Sequence, residues 1–195
     1  MKLSRIEKRV MNSPRHIQRV INRAKSLLCL ANLEGKRDFL ELGCGNGATS
    51  KHIASNYNLN VTGVDLDPEQ IELAQRNVKE LPNCRFLIGD ATQLPFQDNH
   101  FDIVLSFGVM HHISNWVDVL REIARVLKAE GYFIYWDLVY PGIIAKVGKS
   151  LQHSYGMTTT HELSLFTEAH NFSVLHASRS KSLIFDYYEA VYRKN

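Results

Sequence analysis

The sequence predicts an α/β fold: a doubly wound sheet of seven strands, mostly parallel, with helices ahead of it and an antiparallel hairpin closing it. Three observations carry that reading. Short apolar runs alternate with amphipathic stretches from Phe39 to Trp136, the pattern of a parallel sheet covered on both faces. Gly43-Cys44-Gly45-Asn46-Gly47 follows the apolar run at Phe39–Leu42 and precedes a helical stretch over Ala48–Ala54, so a strand, a glycine turn and a helix N-terminus come in succession. Phe101–Phe107 is almost wholly apolar, as expected of a strand buried on both faces.

In chain order, Leu3–Met11 carries a weak helix signal from Ile6 and Val10. Ser13-Pro14 starts a firmer one, because serine caps a helix and proline fits its first turn. Ile17, Val20, Ile21, Ala24, Leu27, Leu28 and Ala31 then line one face, with Arg15, Arg19, Arg23 and Lys25 largely off it. This helix is expected to pack ahead of the first strand, over a ligand pocket. Strands follow at Phe39–Leu42, Asn60–Asp65, Cys84–Ile88, Phe101–Phe107 and Tyr132–Trp136. Asp67-Pro68 caps a helix through Leu81, and Val117–Lys128 forms another that Gly131 stops. Beyond Trp136 the pattern loosens: a turn at Tyr140-Pro141-Gly142, a short helix over Ile143–Leu151, a loop at Tyr155–Thr160 and a helix over His161–His170. Strands at Phe172–Ala177 and Leu183–Tyr192, separated by the polar Ser178–Ser182, read as the closing hairpin.

The 195 residues suit one domain over 1–195, with a basic, helical cap segment at 1–37. That segment holds ten Lys and Arg against Glu7 and Glu34, whereas the remainder is net acidic. Such a leader is a solvated helix face, or a contact for an acidic partner, a membrane surface or a nucleic acid. An organelle transit peptide is a weaker alternative. No apolar run reaches membrane-spanning length and no secretory signal is evident, so a cytoplasmic protein is expected. Cys29, Cys44 and Cys84 are odd in number and scattered, which fits reduced thiols rather than a disulfide framework or a metal site.

Ligands of such sheets bind at the carboxyl ends of the strands, beside the switch point next to the first strand. Glu41, Asp65, Asp90, His111 and His112 all fall at such ends. The glycines alone leave the ligand open. Gly43-Cys44-Gly45-Asn46-Gly47-Ala48 satisfies a dinucleotide fingerprint, and Asp65 lies where a ribose-binding acid belongs, so a nicotinamide-dependent oxidoreductase competes. Glu41, two residues before the first glycine, is badly placed for a pyrophosphate and acceptable for a cation. Asp90 adds a further acid on the third strand, and little chain is left for a separate catalytic domain.

Glu41-Leu-Gly-Cys-Gly-Asn-Gly47, Gly63-Val-Asp65, Gly89-Asp90-Ala91, Leu94-Pro-Phe96 and Phe101-Asp-Ile-Val-Leu-Ser-Phe107 together resemble the class I S-adenosylmethionine-dependent methyltransferases, whose sheet is Rossmann-like. The match runs in order from Phe39 to Trp136. Leu94–Val104 and Met110-His-His112 most resemble the small-molecule branch that includes quinone-biosynthesis enzymes. The resemblance implies S-adenosylmethionine as methyl donor and S-adenosylhomocysteine as product. It places Gly43, Gly45 and Gly47 around the methionine and ribose portions, and Glu41 by the cationic methionine end. Asp65 falls on the ribose hydroxyls, Leu66 on the adenine, and Asp90 with the Ala91 amide on the adenine edge. Ser106 and Phe107 line the path to the sulfonium.

The acceptor is expected to be a small molecule. An RNA or protein acceptor held by the basic helix, and a binding protein without turnover, are the alternatives. His111 and His112 are the candidate catalytic residues, as base or substrate contact. His153, Tyr155, His161, Tyr140 and Trp136 lie where an acceptor pocket would be built. No Asn/Asp-Pro-Pro-aromatic motif follows the fourth strand and no Pro-Cys pair is present, which lowers the odds of a base amino group, a glutamine amide or a cytosine carbon as acceptor.

Overall fold

The computed structural model describes residues 5–142, 144–145, 155–181 and 185–195. Helices α1 (Arg5–Met11) and α2 (Pro14–Leu28) precede β1 (Asp38–Leu42), α3 (Ala48–Asn56), β2 (Asn60–Asp65), α4 (Pro68–Asn77) and β3 (Cys84–Ile88). Then come β4 (Phe101–Phe107), a single 3-10 turn at Met110–His112, α5 (Trp116–Val126), β5 (Leu127–Val139), α6 (Thr160–Ala169), β6 (Phe172–Lys181) and β7 (Asp186–Lys194). These strands form one seven-stranded sheet in the order β3-β2-β1-β4-β5-β7-β6. The first five are parallel, and β7 runs antiparallel between β5 and β6. The expected class is the observed one.

The two-residue period of the strands divides the core. Phe39, Ile103, Leu105 and Ile134 point to the face covered by α2, α3 and α4. Leu40, Leu42, Val104, Phe133 and Tyr135 point to the face covered by α5 and α6. Both faces are covered, so β1 and β4 are apolar throughout except at Asp38, Glu41, Asp102 and Ser106. Asp102 is committed to the fold: it accepts the amides of Arg37 and Asp38, each at 2.9 Å, and pairs with Lys128. Glu41 lies on the α3 side of the sheet, and it belongs to the site.

Several boundaries move. The fifth helix ends at Val126, and its strand begins at Leu127, which pairs with Phe101 before a bulge that resumes the ladder at Ile103 and Tyr132. Glu130, not Gly131, takes the left-handed conformation in that bulge (φ +62°). The strand also runs on to Val139, past its expected end at Trp136. In the hairpin, β6 continues through the polar residues to Lys181, because an edge strand leaves its side chains in water and needs no apolar period. The expected helix over Ile143–Leu151, His153 and the expected strand start at Leu183 lie mostly or wholly outside the described residues.

The basic leader is built into the domain. Lys8 pairs with Asp67 and Glu69 at the start of α4. Arg23 pairs with Glu189 and stacks 5.3 Å over the Trp136 ring. Lys36 donates to the Glu130 carbonyl and Arg37 to that of Asn58. Among the described residues, no helix is long and apolar enough to cross a membrane.

Candidate active site

The carboxyl ends of β1, β2, β4 and β5 open into a cleft with two lobes. The first, about 510 Å³, is lined by Asp65, Leu66, Asp67, Gln70, Gly89, Asp90, Ala91 and Thr92 on one side and by Val109 and Ile113–Asn115 on the other. The second, about 380 Å³, is lined by Glu41, Cys44, Thr49, His111, Trp136, Asp137, Leu138 and Tyr187, with Val10, His16, Ile17, Arg19 and Val20 from α1 and α2 as its outer wall. Met11, Asn12, Gly43, Gly45, Phe107, Gly108 and His112 border both lobes.

The glycine turn joins them. Gly43, Gly45 and Gly47 all have left-handed φ (+64°, +51° and +75°), which a side chain disfavours. Their surroundings differ. A Cβ on Gly43 would sit 2.5 Å from Val109 Cγ2, and one on Gly47 would sit 2.5 Å from Phe86 Cζ and 2.8 Å from Ala74 Cβ. A Cβ on Gly45 meets no protein atom closer than Gln70 Oε1 at 3.8 Å, so open cleft lies above it. Gly47 therefore serves packing at the start of α3 and lines neither lobe, although it belongs to the same motif.

Asp65 shapes the corner. Its Oδ2 accepts the Gly45 amide and its Oδ1 the Asp67 amide, both at 2.9 Å. Burial raises its pKa, and the amides of Asp67, Gly45 and Leu66 oppose that rise. Each oxygen keeps a further lone pair for the first lobe. Leu66 is 43% exposed beside it, an apolar wall facing open space. Gln70 is buried in the same wall, and its Oε1 has no hydrogen-bond partner among the described residues. Asp90 Oδ1 accepts the Thr92 amide at 2.8 Å and the Thr92 hydroxyl at 2.7 Å, and Asp90 with Ala91 borders the lobe.

Glu41 lies at the base of the second lobe, with 4% of its surface exposed. Burial pushes its carboxyl up to about 8, against the pull of hydrogen bonds from Ser50 and Thr49. The Ser50 hydroxyl donates to Oε2 at 2.5 Å. Phe107 borders both lobes, whereas Ser106, its neighbour on β4, is fully buried and borders neither. Trp136 lines the second lobe; Tyr140, Tyr155 and His161 line neither.

His111 and His112 come together on the turn after β4, with ring centroids 3.9 Å apart. They are not equivalent. His111 Nδ1 lies 2.5 Å from Asp137 Oδ1. Among the described residues His112 has no such partner: its Nδ1 is buried without a hydrogen-bond partner, and burial, then neighbouring His111, push its pKa down to about 4. Asp137 was missed in the sequence because the fifth strand was ended one residue short of it. The rule that singled out Glu41, Asp65 and Asp90, an acid at the carboxyl end of a strand, identifies Asp137 once that strand runs its full length.

A seven-stranded sheet of this order, with a glycine corner and acids on successive strand ends, defines the class: the chain has the architecture of the class I methyltransferases. Residues 40–135 match the family model of the methyltransferase domain. A fatty-acid O-methyltransferase from Mycolicibacterium smegmatis is 39% identical over 108 residues, which cover 55% of this chain and 39% of that protein. A phthiotriol/phenolphthiotriol dimycocerosates methyltransferase from Mycobacterium leprae is 37% identical over 108 residues, with the same shares covered. The matched stretch thus spans well under half the length of these curated relatives. Among solved structures, the [4+2]-cyclase SpnF superposes with a TM-score of 0.76 at 18% identity, covering 91% of this chain and 81% of that one. At that identity the likeness speaks for the fold.

Proposed function

We propose that this chain transfers a methyl group from S-adenosylmethionine to a small-molecule acceptor, with residues 1–195 acting as one unit in the cytoplasm. The carrying observation is the acid-lined glycine corner: Asp65 in one lobe, Glu41 in the other, and open space over Gly45 between them. S-adenosylmethionine supplies a sulfonium methyl group open to in-line displacement. Asp65 would take the ribose hydroxyls, Leu66 one face of the adenine, and Asp90 with Ala91 its edge. The unpaired Gln70 Oε1 gives the same lobe a further acceptor. Glu41 would face the cationic methionine end, whose positive charge favours the ionised carboxylate, and Phe107 the reacting methyl. The second lobe holds the acceptor between α1, α2 and the ends of β5 and β7, where apolar side chains keep water from the reacting atoms.

A pyrophosphate fits the corner poorly. The Ala48 amide at the start of α3 already donates to Asn46 Oδ1 at 3.2 Å, and Gly47 is closed over by Phe86. Glu41 adds an acid beside the glycines. The RNA or protein alternative loses support because Lys8, Arg23, Lys36 and Arg37 bind the folded chain itself. Thermal shift with S-adenosylhomocysteine against NAD tests the reading, since a ligand stabilises the fold it binds by mass action. Stabilisation by NAD alone refutes it. Asp65→Ala is expected to fold and to lose S-adenosylhomocysteine affinity by about tenfold or more, from charge-assisted bonds of roughly 1.5–3 kcal/mol each; unchanged affinity removes Asp65 from the ribose.

A further inference from the structure

We propose that His111 and Asp137 form a base dyad that takes the proton of a hydroxyl-bearing acceptor, His111 as the catalytic base and Asp137 as its positioning residue. The inference rests on the methyl-transfer reading and narrows its substrate class.

Asp137 is at the end of β5 with its side chain fully buried. Its Oδ2 accepts the Met110 amide at 2.7 Å, and its Oδ1 accepts the Leu138 amide at 2.7 Å beside the 2.5 Å contact to His111 Nδ1. An ionised carboxylate has only acceptors to offer, so the proton of a neutral His111 belongs on Nδ1. Nε2 is then the free acceptor, and it has no hydrogen-bond partner among the described residues. His111 lines the second lobe, where Gly43, Phe107 and Gly108 meet the acceptor wall. His112, stacked against it, has its basicity suppressed by burial. Adjacent histidines therefore divide the work: one binds a proton and the other packs between the lobes. The other titratable or charged groups lining this lobe are Glu41 on β1, Cys44 in the glycine turn, His16 and Arg19 on α2, and Tyr187 on β7.

The step balances with S-adenosylmethionine as the methyl donor. The acceptor oxygen uses a lone pair to form a bond to the methyl carbon. The carbon–sulfur bond breaks and its electron pair stays on sulfur, which becomes a neutral thioether. The hydroxyl proton passes to His111 Nε2, and Asp137 compensates the imidazolium charge before the proton is released to solvent. A carboxylate acceptor has no proton to remove at neutral pH, and a tertiary amine has none before attack. A phenol, enol or alcohol is the class for which the dyad has work to do.

The test uses the full chain, labelled S-adenosylmethionine and two matched probes, a p-alkylphenol and a p-alkylbenzoate. The phenol is expected to be methylated and the benzoate not. His111→Ala should lower kcat on the phenol by about 10²-fold or more, with KM and S-adenosylhomocysteine affinity within a fewfold of wild type. Asp137→Asn should lower kcat on the phenol while leaving KM and S-adenosylhomocysteine affinity within a fewfold of wild type, a split that loss of a merely structural contact does not give. Benzoate methylated as fast as phenol, a wild-type kcat in His111→Ala, or no phenol product from protein that binds S-adenosylhomocysteine overturns the proposal. Wild-type protein that fails to bind S-adenosylhomocysteine overturns the parent reading instead.

Discussion

Alanine at Gly47 and at Gly45 should separate two roles that one motif combines. Gly47 has φ +75°, and its Cβ would sit 2.5 Å from Phe86 Cζ and 2.8 Å from Ala74 Cβ. The left-handed backbone costs about 1–2 kcal/mol and the overpacking about 1–3 kcal/mol, so Gly47→Ala should destabilise by roughly 2–5 kcal/mol. At about 2–4 °C per kcal/mol for a chain this size, the melting temperature should fall by roughly 5–20 °C. Gly45 has φ +51° but no protein atom within 3.4 Å of a new Cβ, so Gly45→Ala should lose only the backbone share, about 1–2 kcal/mol. Affinity should move the other way. The Gly45 methyl projects into the cleft and should weaken S-adenosylhomocysteine binding by about tenfold, on the scale of 1.4 kcal/mol. Gly47→Ala, assayed below its melting point, should bind near wild type. Urea denaturation gives the stabilities and titration calorimetry the affinities. Equal stability of the two variants, or a larger binding defect at Gly47, would refute the division.

Two further outcomes follow from the charges around the cleft. Burial holds the Glu41 proton up to about pH 8, whereas the unfolded chain releases it near 4.5, so the folded state binds more protons in between and stability falls as pH rises across that interval. Glu41→Gln should flatten the change in urea midpoint between pH 5 and pH 8; an unchanged slope clears Glu41. Lys8 ties α1, whose Met11 borders both lobes, to Asp67 and Glu69. Lys8→Ala should speed S-adenosylhomocysteine release a fewfold in stopped-flow, and an unaltered off-rate means that α1 does not gate the donor.

The parallel half of the fold was legible because its physics is local. β2, β3 and β4 begin and end where the sequence places them, and Asp67 caps α4 through the Glu69 amide at 3.0 Å, as Asp67-Pro68 promised. Leu127 misled because it continues the helical spacing of α5 while pairing with Phe101 as a strand. Ser178–Lys181 misled because an exposed edge strand and a polar loop share a composition. In the site, Asp65 and Glu41 were visible from their offsets to the glycines. The packing role of Gly47 was not, since Phe86 and Ala74 reach it only through the tertiary fold. The inequality of His111 and His112 was equally hidden, because it depends on a carboxylate 26 residues away in the chain.

The outer wall of the second lobe has a consequence for how such a chain diversifies. Residues 40–135, the span shared with the family, contain the glycine turn, Asp65, Asp90 and both histidines. Val10, His16, Ile17 and Val20 come before that span; Trp136, Asp137, Leu138 and Tyr187 come after it. The outer wall of the second lobe thus lies outside the matched span, whereas its floor, with Glu41, Phe107 and His111, lies within it. Substitutions confined to that wall leave the glycine turn, Asp65 and Asp90 in place, so grafting a relative's first 37 residues and hairpin onto this sheet would test whether the wall selects the acceptor.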